Sequence, residues 1–354
     1  MEIFKCKHCR NIVYFENDSC VKCGYPLGFE TDTLQLLPVV AWENGSYSLY
    51  NQPGKFYRYC INHQHQVCNW LVEVDSPTPY CKACDLNKTI PNLSEPDAVN
   101  HWRTIENAKH RLVYSLLKMQ LPLLSKKTDQ EKGLTFDFLA DLQGKPRVLT
   151  GHDNGLITLN IIEADDVERE KSRKDMKEPY RTLIGHFRHE VGHYYWDRLI
   201  DNSKYLAECR MIFGDDRLDY ADALQKHYKQ GAPAYWNQHF ISTYASSHPW
   251  EDWAETWAHY LHIMDTLQTG YAFGLGLHPQ IAEETDFLDI EEQQDPYLLT
   301  DFIAIMNKWL PMSIAMNSIN RSMGHTDLYP FVITADVMKK LTFIHKVCFE
   351  SRIQ

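Results

Sequence analysis

His186-Phe187-Arg188-His189-Glu190-Val191-Gly192-His193-Tyr194-Tyr195-Trp196 carries the pattern H-E-x-x-H. On a helix, His189 and His193 stand one turn apart on one face, so both imidazoles can reach one cation. Glu190, directly after the first histidine, projects beside that cation, where its carboxylate can take a proton from a bound water. Five letters alone are a weak signal. The flanks Phe187, Val191, Gly192, Tyr194 and Tyr195 are uncharged, as a metal-site helix packed inside a protein requires. The competing reading is a helix that merely carries two histidines.

Two histidines do not hold a catalytic zinc; a third protein ligand is needed, with one position left for water. A third histidine in the metzincin manner requires glycine at 196 and histidine at 199. The chain has Trp196 and Leu199 there, which excludes that class. Downstream, His248-Pro249-Trp250-Glu251-Asp252-Trp253-Ala254-Glu255-Thr256-Trp257-Ala258-His259-Tyr260 reads as a helix start. Pro249 and Trp250 break the preceding segment, and Glu251 and Asp252 suit a first helical turn. Trp253, Trp257 and Tyr260 recur at helical spacing as a packed face. Glu251 and Glu255 share another face. One can bind the metal while the other hydrogen-bonds a ligand imidazole, and helix geometry alone allows either order.

With 354 residues, the chain exceeds one typical domain. A hydrophobic content of 44% and nine tryptophans suffice for a packed core. No run of eighteen apolar residues exists, and Met1-Glu2-Ile3-Phe4-Lys5-Cys6 is no signal peptide. A soluble, cytoplasmic protein without a membrane partner is expected, its cysteines held as metal thiolates rather than disulfides. The formal charge of −11 disfavours unspecific nucleic-acid binding, although local basic patches remain open. The best such patch, residues 169–181, is mixed with acidic residues and reads first as a solvated helix face.

Cys6-Lys7-His8-Cys9 and Cys20-Val21-Lys22-Cys23-Gly24 are two C-x-x-C knuckles with ten residues between them. On a segment too small to bury its own core, this spacing marks a structural zinc ribbon. A redox pair is disfavoured, since two pairs occur without a βαβ context. The ribbon either docks a partner or braces its neighbour. A second set, Cys60, Cys68, Cys81 and Cys84, can close another tetrahedral site, and His63 or His65 could replace one cysteine. Cys209 and Cys348 have no neighbouring partner and read as core residues.

Helical periodicity runs through residues 97–120, at Trp102, Ile105, Ala108, Leu112, Leu116 and Leu117. Residues 134–139 alternate like a strand, and residues 148–150 and 156–161 flank the turn His152-Asp153-Asn154-Gly155 as a hairpin. Beyond position 203 the chain reads as mostly helical, with one helix starting near 215 and a terminal one from about Ala335. His259 and His262 follow Glu255 at one and two turns; either assists the site or sits satisfied in an aromatic helix.

The segment Glu251-Asp252-Trp253-Ala254-Glu255 resembles the E-x-x-A-E segment of lethal-factor-like gluzincins, in which the first glutamate binds zinc. Those proteins carry a tyrosine seven residues before that glutamate, aimed at the oxyanion, and Tyr244 stands there. The whole chain also resembles a bacterial family of zinc-binding metallopeptidases with an N-terminal zinc ribbon, through Glu178-Pro179-Tyr180-Arg181-Thr182-Leu183, the motif helix and residues 248–262. The resemblance implies His189, His193 and Glu251 as metal ligands, Glu190 and Tyr244 as catalytic residues, and Glu255 bracing a ligand histidine. It also implies a small sheet on the motif helix whose edge strand pairs with substrate; residues 156–161 are the candidate.

The expected fold is α+β: a mainly helical, gluzincin-like zincin domain with a small sheet, preceded by small β-rich zinc-ribbon modules. The expected segments are a ribbon over 1–30, a second cysteine-rich module over 31–95, a zincin core over 96–270 and a helical extension over 271–354. The expected cofactors are one catalytic and two structural zinc ions, the latter held by Cys6, Cys9, Cys20, Cys23 and by Cys60, Cys68, Cys81, Cys84. The expected function is peptide-bond hydrolysis by zinc-activated water with Glu190 as general base, acting on a peptide or protein. The alternative is a non-hydrolytic zinc scaffold whose ribbons bind a protein or nucleic-acid partner, which the intact Glu190 argues against. A third reading is a protease brought to DNA-bound proteins by its ribbons.

Overall fold

A computed structural model describes every residue except 1, 142, 143, 145, 176, 177, 179, 281–287, 292, 293 and 354. Pro179 of the segment 178–183, Met176 and Lys177 of the mixed-charge stretch, and part of the helical region beyond 280 therefore lie outside the described residues. The chain is mixed helix and sheet, β-rich towards its N-terminus and mainly helical towards its C-terminus. It divides into two compact units, Glu2–Lys118 with Leu123–Ser172, and Met119–Pro122 with Arg173–Gln354. Among the described residues, no helix is long and apolar enough to cross a membrane.

In the first unit, β1 (Phe4–Lys5) and β2 (Ile12–Val13) form a hairpin around the first cysteine knuckle. Arg10 takes a left-handed conformation there, φ 63°, and its amide donates to the Cys6 carbonyl at 2.8 Å. Five antiparallel strands follow in chain order: β3 (Leu27–Glu30), β4 (Gln35–Ala41), β5 (Tyr47–Leu49), β6 (Gln52–Tyr59) and β7 (Leu71–Glu73). Leu37, Val39, Leu49, Tyr57 and Leu71 bury one face of this sheet. Phe15, Phe29, Trp70 and Tyr114 pack beside it with centroids 4.6–6.1 Å apart, edge-on except for the tilted Phe29–Trp70 pair. Such pairs add about 0.5–1.5 kcal/mol each beyond their area burial.

After β8 (Asn87–Thr89), helix α1 runs over Ala98–Lys118 and buries Trp102, Ile105, Leu112 and Leu116. Strands β9 (Thr135–Leu139), β10 (Gly151–Asp153) and β11 (Leu156–Asn160) join β8 in a sheet of order β10-β11-β9-β8. The β10–β11 hairpin turns on Asn154 and Gly155, both left-handed at φ 52° and 80°, as a two-residue type I′ turn requires. Two expectations need correcting. Residues 148–150 precede the hairpin rather than forming its first strand. Strand β11 is no edge: β9 pairs it on one side and β10 on the other, which leaves no free ladder for an incoming peptide. The sheet and α1 belong to the same compact unit as both cysteine clusters.

Helix α2 (Asp166–Asp175) precedes the second unit's helices: α3 (Leu183–Tyr195), α4 (Leu206–Phe213), α5 (Tyr220–Gln230), α6 (Pro249–Phe273), α7 (Phe302–Ser322) and α8 (Ala335–Glu350). Helix α6 is the axis. Trp253, Trp257 and Tyr260 are its packed face, each at most 1% exposed, and α3, α4, α7 and α8 all pack against it. After α3 the chain loosens into one π-turn over Trp196–Ile200, a deviation often found beside functional sites.

Candidate metal centre

Three local features bring the motif helix to its partner. Thr182 caps α3, its hydroxyl accepting from the Gly185 amide at 3.0 Å. His248 caps α6, its Nδ1 accepting from the Trp250 amide at 3.1 Å, with Pro249 as the first helical residue. Where the helices meet, Gly192 lies against Ala254: a β-carbon at 192 would stand 2.9 Å from the Ala254 Cα. The Trp253 indole donates to the Gly192 carbonyl at 2.9 Å. The first turn of α6 thereby faces both histidines of α3.

The result is a triangle of donor atoms. His189 Nε2 and His193 Nε2 are 3.2 Å apart, and Glu251 Oε2 lies 3.0 Å from the first and 3.4 Å from the second. A tetrahedral zinc with bonds near 2.0–2.1 Å has ligand–ligand edges of about 3.3–3.4 Å, so the three atoms fit such an ion. The buried Glu251 Oε2 receives no hydrogen bond of acceptable geometry among the described residues, so its lone pairs are available to a cation.

Glu255 sits one turn further along α6. His189 donates Nδ1–H to its Oε1 at 2.7 Å, and Ser242 Oγ donates to its Oε2 at 2.6 Å. That contact sets the His189 tautomer, leaving the Nε2 lone pair for metal. Burial works against charge on His189, yet the Glu251 and Glu255 carboxylates outweigh it and hold the ring well above its ordinary value. Glu251 behaves reciprocally: burial opposes its charge, but His193 and His189 hold it well below the carboxylate range. Glu190 is different. Burial raises its carboxyl, and the two histidines only oppose that shift, an environment suited to a proton acceptor.

Tyr244 opens a short 3-10 turn before α6, its ring centroid 5.9 Å from that of His189. Several participants left no spacing signal. Tyr220 on α5 donates to Glu251 Oε1 at 2.5 Å, Trp250 packs on His193 at 3.8 Å between centroids, and Ser242 supports Glu255. Lys340 on α8 reaches Asp252 at 2.6 Å and the His239 carbonyl at 2.6 Å, pinning the turn that presents Glu251. Lys340 was detectable in principle: it shares the apolar face of Val337, Leu341 and Ile344. His259 donates to or accepts from the Tyr329 hydroxyl at 2.9 Å, and His262 bonds Arg188, so both histidines are engaged away from the triangle.

The cysteine clusters also assemble. Cys6, Cys9, Cys20 and Cys23 converge, with Sγ separations of 3.7 Å for Cys6–Cys23 and 3.5 Å for Cys9–Cys20. Cys60, Cys68, Cys81 and Cys84 converge with Cys68–Cys81 at 3.7 Å. A tetrahedral site with Zn–S near 2.3 Å has edges of about 3.8 Å, so both sets suit zinc. His63 and His65 stay outside the second set. His63 Nδ1 meets the Cys68 carbonyl at 2.8 Å, and His65 bonds Gln64. The histidine that does approach is His110 of α1, its Nε2 3.5 Å from Cys68 Sγ and 3.7 Å from Cys84 Sγ. Cys209 and Cys348 are buried apart from any cluster.

The family described as "Putative zinc-binding metallo-peptidase" matches residues 98–347, and a zinc-ribbon domain family matches residues 3–95. An uncharacterized protein of Mycobacterium bovis and one of Mycobacterium tuberculosis are each 42% identical over 352 residues, covering 99% of this chain and 96% of their own. No solved structure matches the chain.

Proposed function

The chain belongs to that zinc-binding metallo-peptidase family, and we propose that it hydrolyses peptide bonds at the His189–His193–Glu251 centre. The observation that carries this reading is the donor triangle, 3.0–3.4 Å on each side, with a buried carboxylate next in sequence to its first member. A zinc ion held there by His189, His193 and Glu251 would supply a Lewis acid that makes a water nucleophilic near neutral pH. Glu190 accepts the attacking water's proton and delivers it to the leaving amine. Its burial supports this role, since a carboxyl raised above its ordinary value takes and returns a proton more readily. Tyr244 donates to the oxyanion of the tetrahedral intermediate, a contact commonly worth about 3 kcal/mol. Glu255 keeps the His189 ring oriented. The arrangement is of gluzincin type, with its third ligand on a downstream helix.

The substrate is a peptide or protein, as the family description implies. The two cysteine clusters each hold one structural zinc. Ten unpaired cysteines suit a reducing compartment, the cytoplasm.

Glu190→Gln keeps the shape of the side chain and removes the base. Cells carrying this variant or the wild-type chain are compared for new protein termini across the proteome. Termini that need Glu190 are expected. Wild-type hydrolysis of an identified substrate by this variant would sink the mechanism, and full zinc content in the variant shows that the metal site was not the casualty.

A further inference from the structure

Helix α5 differs from every other helix around the metal centre: none of its residues is buried. It sits between two left-handed glycines, Gly214 at φ 104° and Gly231 at φ 76°, conformations that other residues adopt only with strain. Its first residue, Tyr220, is 38% exposed, and yet its hydroxyl donates to Glu251 Oε1 at 2.5 Å. That distance is typical of a charge-assisted O–H···O⁻ bond. The acceptor is the carboxylate oxygen turned away from the histidines, since Oε2 is the one that faces them.

The other tethers of this segment lead to the same place. His248 receives the Trp250 amide on Nδ1, so its Nε2 carries the proton and donates to the Leu218 carbonyl at 3.1 Å. The cap of the ligand-bearing helix therefore also holds the start of α5. The Tyr220 ring meets His248 and Trp250 edge-on at 5.3 and 5.6 Å, and His227 meets Tyr244 edge-on at 6.2 Å. A helix with no core of its own is thus fastened chiefly to groups of the metal centre.

We propose that Tyr220 is a positioning residue of this centre, and that the segment between Gly214 and Gly231 is a cover whose closure sets its metal affinity. With its Oε1 occupied by Tyr220, Glu251 would offer the metal its Oε2, the oxygen that faces the histidines. This inference rests on the reading of Glu251 as a metal ligand.

The test uses full-length, zinc-loaded protein titrated with a chelator, with zinc release followed for wild type, Glu251→Ala, Tyr220→Phe and Tyr244→Phe. The zinc present in wild type and missing from Glu251→Ala is the one at issue; if none is missing, the ligand assignment itself fails. Tyr220→Phe should hold that zinc roughly ten- to a hundredfold more weakly, with the zinc-free melting temperature unchanged, because it removes one oxygen from a half-exposed ring. Tyr244→Phe should stay within about threefold of wild type, since it keeps the ring beside His189 and its hydroxyl bonds no ligand atom. Amide exchange over residues 215–230 should quicken in Tyr220→Phe. Wild-type zinc affinity in Tyr220→Phe, or equal losses in the two tyrosine variants, would overturn the positioning role. Unchanged exchange would overturn the cover.

Discussion

Gly192 and Ala254 are the contact point of the two metal-site helices, so close that a β-carbon on Gly192 would lie 2.9 Å from the Ala254 Cα and 3.2 Å from its carbonyl oxygen. Both neighbours are backbone atoms, which cannot swing aside. Gly192→Ala should therefore push α3 off α6, costing about 1–3 kcal/mol as overpacked cores do. Because the same crossing aligns His193 with Glu251, zinc affinity should fall alongside stability. Denaturant unfolding and zinc titration of one preparation check both; a stable variant with full affinity would show that the contact is loose.

Three clusters imply three zinc ions per chain. Elemental analysis of protein purified without added metal should approach three, and Cys6→Ser should lower the count by one while the His189 site stays loaded. A value near one would remove both cysteine sites from this account.

Glu251 and Glu255 should separate cleanly. Glu251→Ala should empty the centre at low free zinc, whereas Glu255→Ala should still load but bind roughly ten- to a hundredfold more weakly, the usual cost of losing a ligand's hydrogen-bond partner. Calorimetric zinc titration of both variants decides it, and the reverse order would exchange their roles.

Lys340 and Asp252 form a buried ion pair at 2.6 Å. Lys340→Met leaves the Asp252 carboxylate without its cation and should destabilise the protein by about 3–5 kcal/mol. Adding Asp252→Leu should restore much of that loss. Chemical denaturation of the two single variants and the double one measures the coupling; purely additive losses would mean the pair is not coupled.

His259 supplies a pH dependence. Burial depresses its folded-state pKa from 6.5 to about 4, so the unfolded chain binds more protons between those values. Stability therefore rises with pH across that window and is lost as pH falls from about 6.5 towards 4. The contribution is on the order of 3 kcal/mol. His259→Gln should flatten this slope in denaturation midpoints collected from pH 4 to 7; an unchanged slope would assign the effect to other groups.

Sequence spacing carried information only as far as one helix or one knuckle. His189 with His193, Glu251 with Glu255, and each C-x-x-C pair are local geometry, so their convergence was legible before any fold was known. The Asn154-Gly155 turn was legible too, because few dipeptides accept two positive φ values. The limits follow from the same cause. Tyr220 lies 31 residues from its partner Glu251, and Lys340 reaches Asp252 from the far end of the chain. Strand β11 shows the complementary failure: its alternation fits an edge and an interior strand equally, and only the pairing with β9 and β10 decides.

The second cysteine cluster has an order in time. During synthesis its fourth thiol, Cys84, leaves the ribosome 26 residues before His110. Metal can thus be captured by a knuckle whose imidazole neighbour does not yet exist. When α1 later folds, it brings His110 in against that cluster, together with the fully buried Glu106–Lys109 pair on the same helix. A zinc held by the four thiolates would thus precede α1, and zinc supplied after release from the ribosome would meet a different folding problem from zinc present during translation.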